Sequence, residues 1–178
     1  DVDIFQQSAV ILVLSILSSS VIAAENNFNI KHIDRFDKLV VQDNGGRLKP
    51  VHTLTSEYLR KIYGKDYYEN KTGTQVILGM MYNPVEWSKE SIIKVSHPKL
   101  RDLLGNKDLD SKYIRCSFND FFGDNGSYLL TEDIETAYDK LPKDRDLYDK
   151  DIIQVDERVN ICFAIFGGGI FRLFPLPD

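Results

Sequence analysis

The stretch YDKDIIQVDERVNICFAIF, residues 148–166, decides the fold. Tyr148, Ile152, Val155, Val159, Cys162 and Phe166 follow one another at alternating intervals of four and three, the spacing of one apolar stripe along a helix. A stripe that long needs other helices to cover it, so the chain is predicted to be mainly helical. Asp156, Glu157 and Arg158 form the polar back of the helix, with Arg158 placed to pair with an acid on a neighbour. Gly167-Gly168-Gly169 ends it, and Ile170 to Phe174 reads as extended up to Pro175 and Pro177.

Upstream, short elements alternate with well-formed stops. Leu39-Val40-Val41 reads as a strand, Asn44-Gly45 as a hairpin turn, and Arg47-Leu48-Lys49 as a return strand ended by Pro50. Thr53 is predicted to cap a helix with Leu54, Tyr58 and Ile62 on one face, Glu57 paired with Lys61, and Gly64 as its stop. Thr74 is predicted to cap a second helix running through Met81, whose Val76, Ile77, Leu78, Met80 and Met81 leave almost no polar face and place it centrally. Asn83-Pro84 starts a turn carrying Trp87, and Ile92, Ile93 and Val95 suggest a strand with a second one over Lys112 to Cys116. Ser96 is predicted to cap a helix over Leu100, Leu103 and Leu104 that Gly105 ends. Ser117 with Asp120 opens a turn bearing Phe118, Phe121 and Phe122, and Thr131-Glu132-Asp133 opens a helix reaching Leu141. The fold class is therefore mainly α with small β elements, α+β.

The chain has 178 residues, 43% hydrophobic and 28% charged, enough apolar material for one sizeable core. Its net charge of −5 comes from 27 acids and 22 scattered Lys and Arg, which argues against a nucleic-acid surface. Ser8 to Ala24, SAVILVLSILSSSVIAA, carries no charge and reads as a membrane-active segment at the short end of what spans a bilayer. Two readings stay open for it: a processed signal sequence, or a transmembrane helix of a longer protein, which the acidic flank of Asp1 and Asp3 favours. The predicted organisation is a membrane or signal-like segment over 1–25, then one compact helical domain outside the cytoplasm over 26–178, continuing beyond FPLPD.

Few residues suggest chemistry. Gly45, Gly46, Arg47 and Lys49 lead into a helix start, where backbone N–H groups and two cations could converge on an anion or a partner. The alternative is a turn with both cations facing water. His52 is a candidate base or axial haem ligand, or a packed histidine beside a helix start. His32 and His97 join no constellation. Cys116 and Cys162 form no CxxC pair, and outside the cytoplasm they either bond to each other or stay free in an apolar setting. The loop GDNGSY, residues 123–128, lacks the ligand alternation of a calcium site. No catalytic set and no metal site is predicted.

Three phrases in order, KLVVQDNGGRLKPVHTLTSEYLRKI, GMMYNPVEWSKESIIKV and VDERVNICFAIFGGGIFRLFPLP, resemble the extracytoplasmic part of System II cytochrome c biogenesis proteins, in particular the fused ResB-CcsA type of Bacteroidetes-like bacteria. The resemblance covers most of residues 33–178. It implies an inner-membrane parent protein with this domain facing the periplasm. That parent would handle haem and present it for attachment to apocytochrome c, acting as a haem-attachment synthase. The family's Trp-rich WWD segment is absent here, so the resemblance implies no haem ligand in this stretch and His52 stays a candidate only. The implied partners are the membrane-embedded remainder of the same protein and apocytochrome c, with haem met indirectly. The implied role is a scaffold or docking surface, with Arg47, Lys49 and the Phe118-Phe121-Phe122 cluster as docking candidates. The alternative from another class is a secreted small-anion-binding module or hydrolase using Arg47, Lys49 and His52.

Overall fold

The computed structural model describes residues 28–43, 45–105 and 111–171. The order of elements is α1 (Ile30–Phe36), β1 (Val40–Gln42), β2 (Leu48–Pro50), α2 (Val51–Tyr63), β3 (Tyr67–Tyr68), β4 (Lys71–Thr72), α3 (Gly73–Tyr82), α4 (Pro84–Trp87), β5 (Ile93–Val95), α5 (Pro98–Leu103), β6 (Ile114–Cys116), a 3-10 turn (Asn119–Phe121), α6 (Thr131–Asp139) and α7 (Leu147–Phe166). The strands pair as antiparallel ribbons β1-β2, β3-β4 and β5-β6, so the α+β class stands. Among the described residues no helix is long and apolar enough to cross a membrane. The run Ser8–Ala24 and the extended reading beyond Phe171 lie outside the described residues.

The stripe on α7 is the spine of the core. Ile152, Val155, Val159, Cys162 and Ile165 are buried against Leu59 and Ile62 of α2 and against Val76, Ile77 and Met80 of α3. Phe166 is only partly covered, and Ile165 takes the last buried place. A second, smaller cluster of Val41, Val51 and Leu54 seats the β1-β2 hairpin on the start of α2, with Phe36 and Phe171 packed edge to face beside it, centroids 5.5 Å apart. On α3, Gly79 is required for close approach: a Cβ there would lie 2.8 Å from Trp87 Nε1, so only the bare backbone leaves room for the indole. Gly168 adopts φ +71 and closes α7.

Several predicted caps move. The α2 helix starts at Val51, not after Thr53, and Pro50 is its N-cap without any side-chain bond. Backbone carbonyls do the capping, since the Val51 and His52 N–H groups donate to Leu39 O (2.8 Å) and Asp37 O (3.3 Å). The α3 cap is Thr72, in a reciprocal capping box with Gln75, whereas Thr74 is buried and shares a hydroxyl hydrogen bond of 2.9 Å with Thr55. His97, not Ser96, caps α5, its Nδ1 accepting from Lys99 N at 3.2 Å. Glu57 does not pair with Lys61: Lys49 reaches it from β2 at 2.6 Å, and Lys61 lies 3.7 Å from Glu157 on α7. The α6 helix stops at Asp139, short of Leu141.

Candidate functional site

The corner where β1-β2 meets α2 gathers Arg47, Lys49 and His52, and its geometry begins with Asp43. The Asp43 carboxylate accepts from the Gly45 N–H at 2.8 Å and the Arg47 N–H at 2.9 Å, an Asx-type turn that fixes the hairpin. Gly46 follows at φ +80. The other carboxylate oxygen lies 3.0 Å from Lys49 Nζ, which also binds Glu57 Oε2 at 2.6 Å. The Arg47 N–H, then Lys49, hold the Asp43 carboxyl below its ordinary value. Glu57, then Asp43, raise the Lys49 ammonium above its own. The N–H nest read as an anion cradle is thus built, and its occupant is a side chain of the same turn. Two of the first N–H groups of α2 are likewise taken by Leu39 and Asp37 carbonyls. The Arg47 side chain is exposed.

Lys49 opens onto a groove of about 490 Å³ between the hairpin, α2 and α7. Its charged lining is Asp43, Glu57, Asp156 and Glu157 against Lys49 and Lys61, four carboxylates to two ammoniums. The groove is therefore net acidic and complements a cationic partner better than an anion. His52 faces away from it, exposed on a ridge between two other grooves that both contain Asp37. The structure brings Lys49 together with carboxylates and does not bring His52 to it. His32 lies exposed on α1, and the His97 ring packs edge-on to Tyr148 with centroids 5.1 Å apart.

The Phe cluster divides. Phe121 is fully buried and is no docking residue. Phe118 and Phe122 stack on each other at 5.0 Å and line, with Tyr128, Val159 and Phe163, an apolar groove of about 250 Å³. Cys116 and Cys162 are free and buried, so of the two alternatives the unbonded one is present. Burial pushes each thiol up to about 12, with Asp120 adding to the effect at Cys116. Both are protonated, unreactive core residues. Among the described residues no group of three or more His, Cys, Asp or Glu side chains could hold a metal ion.

Sequence reasoning missed Asp43 and gave Arg158 the wrong kind of partner. The D-x-G-G-R order around Asp43 was a legible Asx-turn signal. Arg158 had none: instead of an acid it serves backbone, donating to Lys61 O at 3.0 Å and Lys94 O at 2.6 Å across a gap of more than sixty residues.

No family model matches this chain. Over 143 residues, 80% of its length, the chain is 39% identical to Protein NrfI of Wolinella succinogenes, and it spans only 15% of that protein. At the level of the family this match supports the resemblance to System II cytochrome c biogenesis proteins, and it lends nothing to the finer fused ResB-CcsA arrangement.

Proposed function

We propose that this chain is the periplasm-facing portion of an inner-membrane cytochrome c biogenesis protein, where it supports haem delivery and attachment to apocytochrome c as a scaffold or docking surface. The observation that carries this reading is the 39% identity to NrfI over 143 residues. The uncharged run Ser8–Ala24 supplies the membrane anchor, and the remainder of the parent protein would handle haem. The domain's own chemistry supports a docking role: its thiols are buried, its anion nest is filled by Asp43, and its charged groove is acidic. A partner segment carrying Lys or Arg suits that groove. Arg47 is the cation beside it left exposed to a partner's acids. The second reading, an anion-binding module or hydrolase, would require Lys49 to leave both Asp43 and Glu57, and no observation favours it.

The test is an in-frame deletion of the segment encoding residues 28–171 from the parent gene, in a host with no second maturation system, followed by haem staining of c-type cytochromes. Loss of mature cytochromes with the remaining membrane protein still present is the expected result. Normal maturation would overturn the proposal.

A further inference from the structure

We propose that the end of the domain formed by Phe28, Ile30, Tyr82 and Val85 rests in the headgroup layer of a lipid bilayer. The inference deepens the membrane-anchored reading above and rests on it. Four observations carry it. Phe28 packs edge to face on Tyr82, centroids 6.3 Å apart, so the N-terminal entry of the chain is fixed to the end of α3. Tyr82 is 75% exposed and Val85, three residues on, is 64% exposed, with Ile30 at the start of α1 also open. An aromatic ring with a polar tip beside bare aliphatic side chains is the composition that a membrane interface favours. The charges near this patch suit that setting: Glu86 and Lys89 neutralise each other at 3.0 Å, and the first turn of α1 holds Lys31 and no acid.

Chain length makes the placement geometric. Four Cα–Cα steps lead from Ala24, the end of the uncharged run, to Phe28, and a fully extended chain of that length reaches about 14 Å. That reach is an upper limit of about twice the depth of one interfacial layer, so a bilayer holding Ser8–Ala24 keeps the Phe28-Tyr82 contact within one short tether of its surface. The opposite end of the domain is far away. A Cβ at Gly168 would lie 3.9 Å from Met81 Cε, which puts the C-terminal end of α7 beside the end of α3. Leu147, at the other end of this 20-residue helix, is then about 30 Å distant.

The experiment uses the full 178-residue chain in phosphatidylcholine–phosphatidylglycerol vesicles, with one bimane label at a time on V85C, L147C or S15C. The buried native thiols stay unlabelled. Quenching by brominated phosphatidylcholine is read for each. The expected result is quenching of V85C several-fold above L147C. If S15C is quenched and V85C is no more quenched than L147C, the anchor stands and the docking of this face is wrong. If S15C itself is not quenched, the membrane-anchored reading fails and this proposal fails with it.

Discussion

The two halves of α7 are held in opposite ways. In the first half nearly every outward side chain has a directional partner. Asp146 and Asp149 form a reciprocal capping box, and Lys140 clamps Asp149 at 2.8 Å through both carboxylate oxygens. Asp151 accepts from the His97 N–H, Asp156 from the Tyr128 hydroxyl, and Arg158 ties α7 to α2 and β5. In the second half, Ile161 to Phe166 offers no ionisable group except a buried thiol. That half is held by shape alone, with Phe166 edge-on to Phe118 at 5.1 Å and Phe163 left 69% exposed. Directional bonds fix the register and orientation of a helix, whereas apolar contact fixes only its proximity. The half with bonds sets where α7 lies, and the half without them leaves an apolar surface.

The two halves differ on their outer faces, so the inner faces should behave alike. Ile152→Ala and Ile165→Ala, one in each half and both fully buried, should each destabilise the domain by about 2–5 kcal/mol in urea unfolding. A large loss at only one of them would break the symmetry. Next in size is Arg158→Met, which keeps the stem and removes the guanidinium; it leaves the Lys61 and Lys94 carbonyls without this donor and should lose about 1–3 kcal/mol.

Asp149→Asn should show its effect through pH. The Lys140 hydrogen bond, helped by the Asp146 N–H, holds the Asp149 carboxyl below its ordinary 3.8. A depressed carboxyl adds stability above its unfolded value and loses it as pH falls through the folded one. The gap between the parent protein and the variant should thus be full at pH 7 and close as the pH drops below 3.8, followed by acid titration of circular dichroism. In the other half, Phe163→Ser should change stability by no more than about 0.5 kcal/mol while reducing binding of an apolar dye such as ANS. The smallest effect is none: iodoacetamide at pH 8 should leave Cys116 and Cys162 unmodified in the folded protein and alkylate both after denaturation.

What the sequence disclosed, and what it withheld, follows the same division. Local patterns were readable: the stripe on α7, the central α3 and the short strands β5 and β6 appear where apolar spacing puts them, and the β1-β2 hairpin where its turn residues do. Pairings chosen between distant segments were not. Glu57 had a lysine one turn away on α2 and took one from strand β2 instead, and Thr74 gave up a cap to join Thr55 in the interior. Local rules rank local partners, and tertiary contact can supply a better one. At the corner the signs of a cradle were real, yet its filling by Asp43 depends on where one carboxylate points. Spacing alone does not say that.

The seat of Trp87 against Gly79 gives the molecule a built-in gauge. The indole is the sole tryptophan of the chain, sunk in the main core with Tyr68 tilted 5.9 Å away. Its emission in the native protein should be blue, and any loosening of α3 from α4 should redden it. Excited at the red edge of its absorption, where the nine tyrosines hardly absorb, this one indole reports on the packing of α3 against α4.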